Sequence, residues 1–596
     1  MSYYTEIFSN TWAFVLVMLF FGGSIFIHEF GHFLAAKWRG LKVLRFSIGF
    51  GPKLFSWRGK DGCKYMISLL PLGGYVALPQ LADMGALEGE ESSDAESLKK
   101  LPKASALDKI IVSAAGAFFN VLLAVVLAAI VWIIGMPEPQ TYSTNVIGFV
   151  PEVISDASNI DMPSPAFKAG LKSGDKILSI DGTNVDNFMQ IIEHIAIGSG
   201  RDSQGNPSVN LKIERDGKIF ETVVNPTLVK TNTATDDKIR MIGISPSMIM
   251  KVGSVMKDSP AQIAGIKEGD IVSEIDGVKL FSNQQLVKKI GSLKEDKSVE
   301  LTVIRDDKPI KILITPQAIE ITKQLCVVEF PKKDGTISFI ESGNSKDNST
   351  CVKIFEIKTN TPEVNGVSAG AILYKINDKE ISTLSQLNAI VNTASTHSHI
   401  KLSFMSNGEL KDIFLPTLCM SKILPPRTQV MMGYMLENVM LIKHPNIIYQ
   451  FKDSISRTYN AISSLINPHS DIGISSLAGP VDIGRVIYKL SLSDFSLVLS
   501  FAVLLNINLA ILNMMPIPVL DGGHILFAII EKLRGKPLSP TVFATIQGAF
   551  SILFMSLMIY IVYIGFARWK GDADMEEADK VQSEYYIKNI SFKNHE

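Results

Sequence analysis

The sequence predicts a polytopic α-helical membrane protein that carries an array of α+β modules outside the membrane. Its 596 residues are 46% hydrophobic and only 20% charged, and the mean hydropathy is positive, which is unusual for a soluble chain. Four long stretches contain no charged residue. Between the second and the third of them, a motif of soluble composition recurs along the chain. These observations together predict spans plus an inserted modular region.

The uncharged stretches have the length of about 20 residues that a spanning helix needs. The first has no basic residue ahead of it and no small-residue cleavage site behind it, so it is predicted to be a retained span and not a signal peptide. Its helix is expected to continue past its uncharged part. The uncharged stretches are 11–27, 110–136, 495–520 and 541–567, and the expected spans are about 11–36, 110–136, 495–516 and 541–567.

The distribution of Lys and Arg predicts the orientation, because basic loops stay in the cytoplasm. The segment 37–109 is rich in Lys and Arg, whereas the residues before the first span contain none. The N-terminus is therefore expected outside and 37–109 inside. Even parity then places 137–494 and the tail 568–596 outside.

Charge and cysteine content exclude other classes. The 58 basic and 59 acidic residues leave a net charge of −1. The chain therefore lacks the net positive charge with which nucleic-acid-binding proteins neutralise phosphates, and no nucleic-acid partner is expected. The four cysteines lie far apart and share no CxxC spacing, so neither a disulfide scaffold nor a cysteine-type zinc site is indicated. Pairing of Cys326 with Cys351 stays open.

A repeat organises the region outside the membrane. SPAFKAGLKSGDKILSIDG at 164–182 recurs as SPAQIAGIKEGDIVSEIDG at 259–277, and a weaker copy at 361–378 has Ala371 in place of the turn Asp. A short helix, a Gly-Asp turn, a β-rich run and an Asp-Gly turn resemble the PDZ domain of bacterial proteases. Ala371 favours a third module kept for packing and not for binding. The expected modules are 137–236, 237–320 and 321–420.

Three further segments complete the organisation. Residues 41–78 contain β-branched and aromatic runs broken by Gly and Pro, which predicts hairpins in a membrane-associated region. The acidic stretch 83–96 is expected to be a solvated loop. In the connecting segment 421–494, apolar residues at helical spacing between 447 and 465 predict an amphipathic helix, which could lie in the membrane interface or pack on the modules.

The first span carries a zinc-type motif. His28 and His32 are four residues apart, so they lie roughly 40° from each other on one helix face and can both bind one ion, with Glu29 beside them as a base. Polar groups inside an apolar helix are costly and are usually retained for function. The alternative is a polar cluster satisfied by neighbouring helices.

A third candidate ligand follows the third uncharged stretch. Asp521 would complete three protein ligands and leave a fourth position for water, as in catalytic zinc sites. Pro516 and Pro518 cannot continue a helix, so the helix is expected to break ahead of Asp521.

The motif HEFGH at 28–32, together with NMMPIPVLDG at 513–522, resembles the site-2 protease family of intramembrane zinc metalloproteases, in its RseP-type bacterial branch with PDZ domains. Gly49-Phe50-Gly51 and the segment 115–120 also match, although Ala117 stands where Pro is common and a third module is present. The resemblance implies one Zn²⁺, Glu29 as general base, and substrate binding by Asn513 and by the hairpin residues 49–51.

The substrate implied by the resemblance is a single-pass membrane protein already cut by another protease, for example an anti-sigma factor or a remnant signal peptide. Rival classes are a membrane-anchored PDZ scaffold and a catalytically silent metal-binding relative. A transporter would require more spans and paired half-helices. A scaffold would leave four residues without a purpose, namely His28, Glu29, His32 and Asp521. An inactive relative would lack the Glu or the Asp, and this sequence has both.

Overall fold

The computed structural model forms two units. The membrane unit comprises Met1–Glu138, Leu441–Ile466 and Ile474–Phe566, and the β-rich unit comprises Pro139–Met440, Asn467–Gly473 and Ala567–Glu596. The acidic stretch 83–96 lies outside the described residues. The structure describes residues 12, 15–80, 104–156, 161–230, 238–292, 297–330, 335–343, 350–359, 367, 369–394, 400–406, 409–415, 419–536, 539–587 and 592.

Helices occupy the uncharged stretches, as the sequence predicts. Four are long and apolar enough to cross a membrane: Val15–Trp38, Ala106–Ile134, Phe495–Asn513 and Thr541–Ala573. Met18–Gly22 is a π-helical turn leading into the first of them. The α-helices of the described residues are α1 Gly23–Trp38, α2 Ala106–Ile134, α3 Pro165–Lys168, α4 Phe188–Ile197, α5 Pro260–Ile263, α6 Asn283–Gly291, α7 Leu384–Ala394, α8 Ile447–Ile466, α9 Pro480–Ser493, α10 Phe495–Asn513, α11 Asp521–Arg534 and α12 Pro540–Tyr585.

Strands fill most of the remaining described chain. They are β1 Arg45–Arg58, β2 Lys64–Ala77, β3 Met136–Pro139, β4 Ile147–Phe149, β5 Val153–Ser155, β6 Asp161–Pro163, β7 Lys176–Ile180, β8 Thr183–Asn184, β9 Val209–Arg215, β10 Lys218–Val224, β11 Thr227–Lys230, β12 Lys238–Met241, β13 Ser245–Pro246, β14 Val252–Val255, β15 Ile271–Ile275, β16 Val278–Lys279, β17 Val299–Arg305, β18 Lys308–Ile314, β19 Gln317–Glu320, β20 Leu325–Glu329, β21 Gly335–Gly343, β22 Thr350–Thr359, β23 Ile372–Ile376, β24 Lys379–Glu380, β25 Ile400–Ser406, β26 Glu409–Leu415, β27 Met420–Leu424, β28 Thr428–Met431, β29 Tyr434–Leu436 and β30 Met440–Lys443.

The membrane helices pack closely because small and polar residues lie between them. A Cβ atom on Gly31 of α1 would stand 2.6 Å from the carbonyl oxygen of Ala115 on α2, so glycine permits this approach. On α10, the fully buried Asn506 donates to the hydroxyl of Ser24 on α1 at 2.9 Å. Small residues and buried hydrogen bonds are the usual means of helix association where lipid supplies no hydrophobic drive.

The predicted hairpin region is a bent two-stranded sheet. The segment 45–48 of β1 lies between two parts of β2, because it pairs both with 64–67 and with 74–77. On the other side of 64–68, the segment 53–58 of β1 is paired. Gly49 has a positive φ of 86° at the bend, a conformation that glycine adopts without strain. The hairpin prediction is therefore confirmed, with 74–77 and 53–58 as the outer segments.

The amphipathic helix is present as α8, and it belongs to the membrane unit. Its polar side chains face inward: the Gln450 amide donates to the carbonyl of Ala128 on α2 at 3.0 Å, and Thr458 donates to Asn508 on α10. Its apolar side chains face outward, with Ile448 81% and Tyr459 70% exposed. An outward apolar face beside two spans fits contact with the membrane interface, and the choice between the two predicted locations stays open.

The first two repeats form equivalent four-stranded sheets, ordered β10-β9-β7-β8 and β16-β15-β17-β18. Each sheet is accompanied by a two-stranded ribbon: β11 pairs β12 in the first, and β19 pairs β28 in the second. Ile242 lies in the core of the first module and Met432 in the core of the second.

These pairings differ from the expected boundaries. Residues 238–246 complete the first module and 428–436 complete the second, whereas the sequence assigned them to the next segment. The third module, with a sheet ordered β26-β25-β23-β22-β21-β20-β27, is inserted between β19 and β28 of the second. The spacing of the repeats does not show this, because the inserted third module separates the closing ribbon strand from the rest of the second module.

The Asp of each strong repeat has a structural role. Asp175 accepts hydrogen bonds from both Nε and Nη2 of Arg215, at 2.5 and 2.7 Å, and Asp270 does the same with Arg305, at 2.7 Å each. Each arginine is the last residue of its strand, and the corresponding residue of β25 is Ser406. The third copy thus lacks both partners of this pair, and its role in packing and not in binding stays a prediction.

The structure also describes the cysteines and the last helix. All four cysteines are buried free thiols, so Cys326 and Cys351 are not bonded; strand register places Cys326 opposite Phe339 and Cys351 opposite Ser342. The helix that contains the fourth predicted span extends beyond it, because α12 continues to Tyr585.

Candidate metal centre

The two histidines of α1 face α2 at a glycine. A Cβ atom on Gly116 would stand 2.5 Å from Nε2 of His32 and 2.6 Å from Cε1 of His28. Both distances are shorter than any tolerable contact, so a side chain at residue 116 would displace the imidazoles. Gly116 therefore makes the space in which both rings lie, with His32 only 1% and His28 8% exposed.

A tight turn brings Asp521 to the same place. As predicted, the helix breaks ahead of the acid: α10 ends at Asn513 and α11 begins at Asp521. Cβ atoms on Gly522 and Gly523 would lie 2.3 and 2.2 Å from backbone carbonyl oxygens of the turn. The two glycines thus allow α11 to start directly against the turn that contains Pro516 and Pro518.

His28, His32 and Asp521 converge on one point. Nε2 of His28 lies 3.1 Å from Nε2 of His32, and Oδ2 of Asp521 lies 3.1 and 3.4 Å from these two nitrogens. Although these contacts are short, the buried Oδ2 has no hydrogen-bond partner of proper geometry among the described residues. A tetrahedral zinc with bonds of about 2.0–2.1 Å has ligand–ligand distances of about 3.3–3.4 Å. The three atoms therefore fit a zinc ion.

The other ring nitrogens are held from α2. Nδ1 of His32 lies 2.7 Å from the carbonyl oxygen of Val112, which can only accept, so the proton is on Nδ1 and the lone pair is on Nε2. Nδ1 of His28 lies 3.3 Å from the amide of Asn120. The Asn120 oxygen is buried without a partner in the described chain, and turning the amide over would let it accept from Nδ1, since amide orientation is an assignment.

Glu29 lies beside the three ligand candidates and is not one of them. The group of residues able to hold an ion comprises His28, His32 and Asp521. A Cβ atom on Gly74 of β2 would stand 3.1 Å from Cγ of Glu29 and 2.7 Å from the carbonyl oxygen of Ser47. The outer segment 74–77 of the hairpin region therefore runs next to Glu29.

The predicted substrate-binding residues separate into two places. The Asn513 amide lies 3.4 Å from Nε2 of His28, at the cluster. Gly49, Phe50 and Gly51 lie at the bend of β1, where Phe50 pairs with Leu70. The structure thus brings Asn513 to His28, Asp521 and His32, and leaves 49–51 in the hairpin region.

Sequence reasoning missed the roles of Gly116 and Asn120. The segment 115–120 was noted only as a family match. A usable signal was present, because Gly116 and Asn120 are four residues apart in an uncharged span and therefore share one helix face. An Asn side chain in such a span costs free energy unless it is hydrogen-bonded, so a functional or structural partner is expected for it.

Apolar helices of spanning length and a convergent His-His-Asp cluster define a membrane protein whose described residues include a group able to hold a metal ion. The family model for peptidase family M50 matches residues 16–557. The chain therefore belongs to peptidase family M50, and the resemblance to site-2 proteases is confirmed.

Relatives cover nearly the whole chain. A Pasteurella multocida protein to which zinc metalloprotease activity is ascribed is 25% identical over 94% of this chain and 100% of its own length. The protease RseP of Yersinia pestis is 24% identical over 94% of this chain and 99% of its own. The regulator of sigma E protease of Haemophilus influenzae is 24% identical, covering 91% and 96%.

Proposed function

We propose that this chain is a zinc metalloendopeptidase that cleaves membrane-spanning segments of single-pass proteins. The observation that carries the proposal is the convergence of His28, His32 and Asp521 beside Glu29 inside the membrane unit. Family membership and the names of the relatives support the same chemistry.

His28, His32 and Asp521 would hold one zinc ion, through Nε2, Nε2 and Oδ2. Zinc lowers the pKa of a bound water to about 7 and polarises a carbonyl group. Val112 and Asn120 fix the imidazole tautomers, which keeps both Nε2 lone pairs directed at the ion.

Glu29 acts as the proton carrier. It takes a proton from the attacking water and delivers it to the leaving amine, the usual role of a carboxylate in an HExxH motif. Asn513 would be unable to donate to Nε2 of His28 once that atom binds zinc, so its amide becomes available to the substrate backbone or the developing oxyanion.

The outer segment 74–77 is suited to hold the substrate. A helical substrate must unwind before its carbonyl groups are accessible, and an unwound chain can bind by β-addition to a strand edge. Because Gly74 lies beside Glu29, a strand added there would pass close to the base. Residues 49–51 would support the bend of this sheet.

Glu29→Gln tests the function. The variant should retain zinc and lose cleavage of a single-pass model substrate, because the base is not a ligand. The comparison is made with wild type, by zinc analysis and by gel assay in detergent or vesicles. Unimpaired cleavage by Glu29→Gln would overturn the proposal, and zinc binding without cleavage by wild type on every tested substrate would favour a silent relative.

We further propose that the modules are PDZ-like and lie outside the cytoplasm. Lys257→Cys on an exposed position of the second module should react with an impermeant thiol reagent added to intact cells, whereas Lys60→Cys in the turn between β1 and β2 should not. The native cysteines are buried, so they add little background. The reverse labelling would invert the topology.

The modules would restrict access and take no part in the chemistry. The N–H of Gln140 donates to the carbonyl of Val439 at 2.9 Å, so the two ends of the inserted region are adjacent and a short linker can replace the residues between them. This deletion should leave zinc bound and allow cleavage of substrates that have not been trimmed. Loss of cleavage with zinc retained would show that the modules present substrate.

A further inference from the structure

The first and second modules each have an apolar site at an equivalent glycine. In the first, the N–H of Ala166 donates to the carbonyl of Ile242 at 2.7 Å, and Gly243 follows with φ of 79°. In the second, the N–H of Ala261 donates to Met432 at 2.8 Å, and Gly433 follows with φ of 84°. The N-capping serine of the adjacent short helix, Ser164 or Ser259, lies beside the glycine in both.

Different parts of the chain fill this site. At Gly243, an added Cβ would stand 2.8 Å from Cγ2 of Ile154, which belongs to the module's own strand β5. At Gly433, the corresponding atoms are Cζ and Cε2 of Phe592, at 2.7 and 2.9 Å. Phe592 comes from the C-terminal tail and is only 8% exposed.

Residues 585–587, which precede Phe592 in the tail, also form hydrogen bonds with the β-rich unit. The carbonyl of Tyr585 accepts from the N–H of Lys323 at 2.9 Å, and the N–H of Ile587 donates to Ile321 at 2.9 Å. The Tyr585 side chain is 4% exposed and its ring lies 4.6 Å from that of Phe355. Tyr585, Ile587 and Phe592 thus each contact the unit that contains the modules, and all three belong to that unit.

We propose that the C-terminal tail is a built-in ligand of the second module, with Phe592 as its anchor at Gly433. The first module closes the equivalent site with Ile154, and thus accepts no external side chain there. The second module is left with a site that accepts an aromatic or aliphatic side chain whenever the tail leaves. An external peptide must therefore compete with a tethered tail, whose effective concentration is of millimolar order.

Trypsin cleavage of the intact protein tests the docking, since Lys588 and Lys593 flank Phe592. Phe592→Ala should release the C-terminal fragment at least about tenfold faster than wild type, because the docked state protects the tail. Tyr586→Ala is the matched control: this aromatic lies in the same tail, is 53% exposed, and should leave the rate unchanged. Phe592→Leu should restore most of the protection. Equal rates for Phe592→Ala and wild type would overturn the proposal.

Hydrogen exchange identifies the binding site. In Phe592→Ala, amide exchange should rise around Met432 and Gly433 of the second module and stay constant around Ile242 and Gly243 of the first. A rise in both modules, or in neither, would refute the assignment. Neither measurement depends on zinc or on cleavage, so a failure here is separate from a failure of the proposed function.

A peptide with the sequence of residues 588–596 tests competition. It should bind protein truncated after Ile587 at least about tenfold more tightly than the full chain, because the tethered tail is absent. Equal affinities for the two proteins would show that the tail does not occupy the site.

Discussion

The His28–His32–Asp521 cluster and the Asp–Arg pairs of the modules each contain a buried carboxylate, but the hydrogen bonding of that carboxylate differs between them. Asp270 accepts from two guanidinium nitrogens and from the N–H of Lys267, so its oxygens are satisfied within the module. Oδ2 of Asp521 faces two imidazoles without a hydrogen bond of proper geometry. A buried polar group that the chain leaves unsatisfied is costly. The comparison teaches that a buried carboxylate whose hydrogen bonds are complete within the chain stabilises the fold. A buried carboxylate that faces two imidazoles without such hydrogen bonds indicates a binding site for a ligand.

The largest expected effect comes from Asp521→Ala. Removing one of three protein ligands should lower zinc affinity by more than the roughly 10–100-fold that outer-shell changes cause, and cleavage should fall with it. Zinc content and competition with a chelator measure this. Asp270→Ala is the control and should bind zinc as wild type does; stoichiometric zinc in Asp521→Ala would remove Asp521 from the site.

Gly116→Ala should weaken the same site without touching a ligand. The added methyl group would meet both imidazoles within 2.6 Å, so zinc affinity should drop by at least about tenfold. Gly548→Ala, where an added Cβ atom meets nothing within 4 Å, is the matched control in another apolar helix. Unchanged affinity of Gly116→Ala would show that α2 does not fix the rings.

Breaking one Asp–Arg pair should destabilise only its own module. Asp270→Ala leaves Arg305 without its partner, and we expect a loss of about 2–3 kcal/mol, below the full cost of a buried pair because the arginine is partly exposed. The double variant Asp270→Ala/Arg305→Met should recover part of the loss. Hydrogen exchange within 248–320 measures both. A double variant as unstable as the sum of the single ones would mean that the pair is not coupled.

The third module allows the same pair to be installed. Ala371→Asp alone would bury an unpaired carboxylate at a position that is 4% exposed, and should cost about 1–3 kcal/mol. Adding Ser406→Arg should recover much of it. Exchange rates of β23 and β25 report the change, and no recovery would contradict the equivalence of the three copies.

The smallest effect is the pH dependence of one carboxylate. Burial alone would raise the pKa of Asp270, but the hydrogen bonds from Arg305 and the Lys267 N–H lower it below its ordinary value. A lowered folded-state pKa contributes stability above the unfolded pKa, which is lost as the pH falls through the folded pKa. The second module should therefore exchange faster below about pH 4, and Asp270→Asn should flatten this dependence. Equal acid sensitivity in the variant would assign the effect to other groups.

Local patterns in the sequence determined much of this protein. Uncharged length predicted the spans, helical spacing placed His28 and His32 on one face, and the prolines predicted the break before Asp521. Each of these depends on neighbouring residues, whose geometry is set by helix period or by the missing N–H of proline. The recurring turn motif likewise predicted the repeated modules.

Tertiary structure alone decided the contacts between distant parts of the chain. Gly116 and Asn120 have their roles because α2 packs on α1. The segment 428–436 belongs to the second module although the third module precedes it in the chain. The choice between Ile154 and Phe592 at equivalent glycines was decided in the same way. Such pairings depend on which surfaces meet in space, and residues so far apart in the sequence carry no shared period that could reveal them.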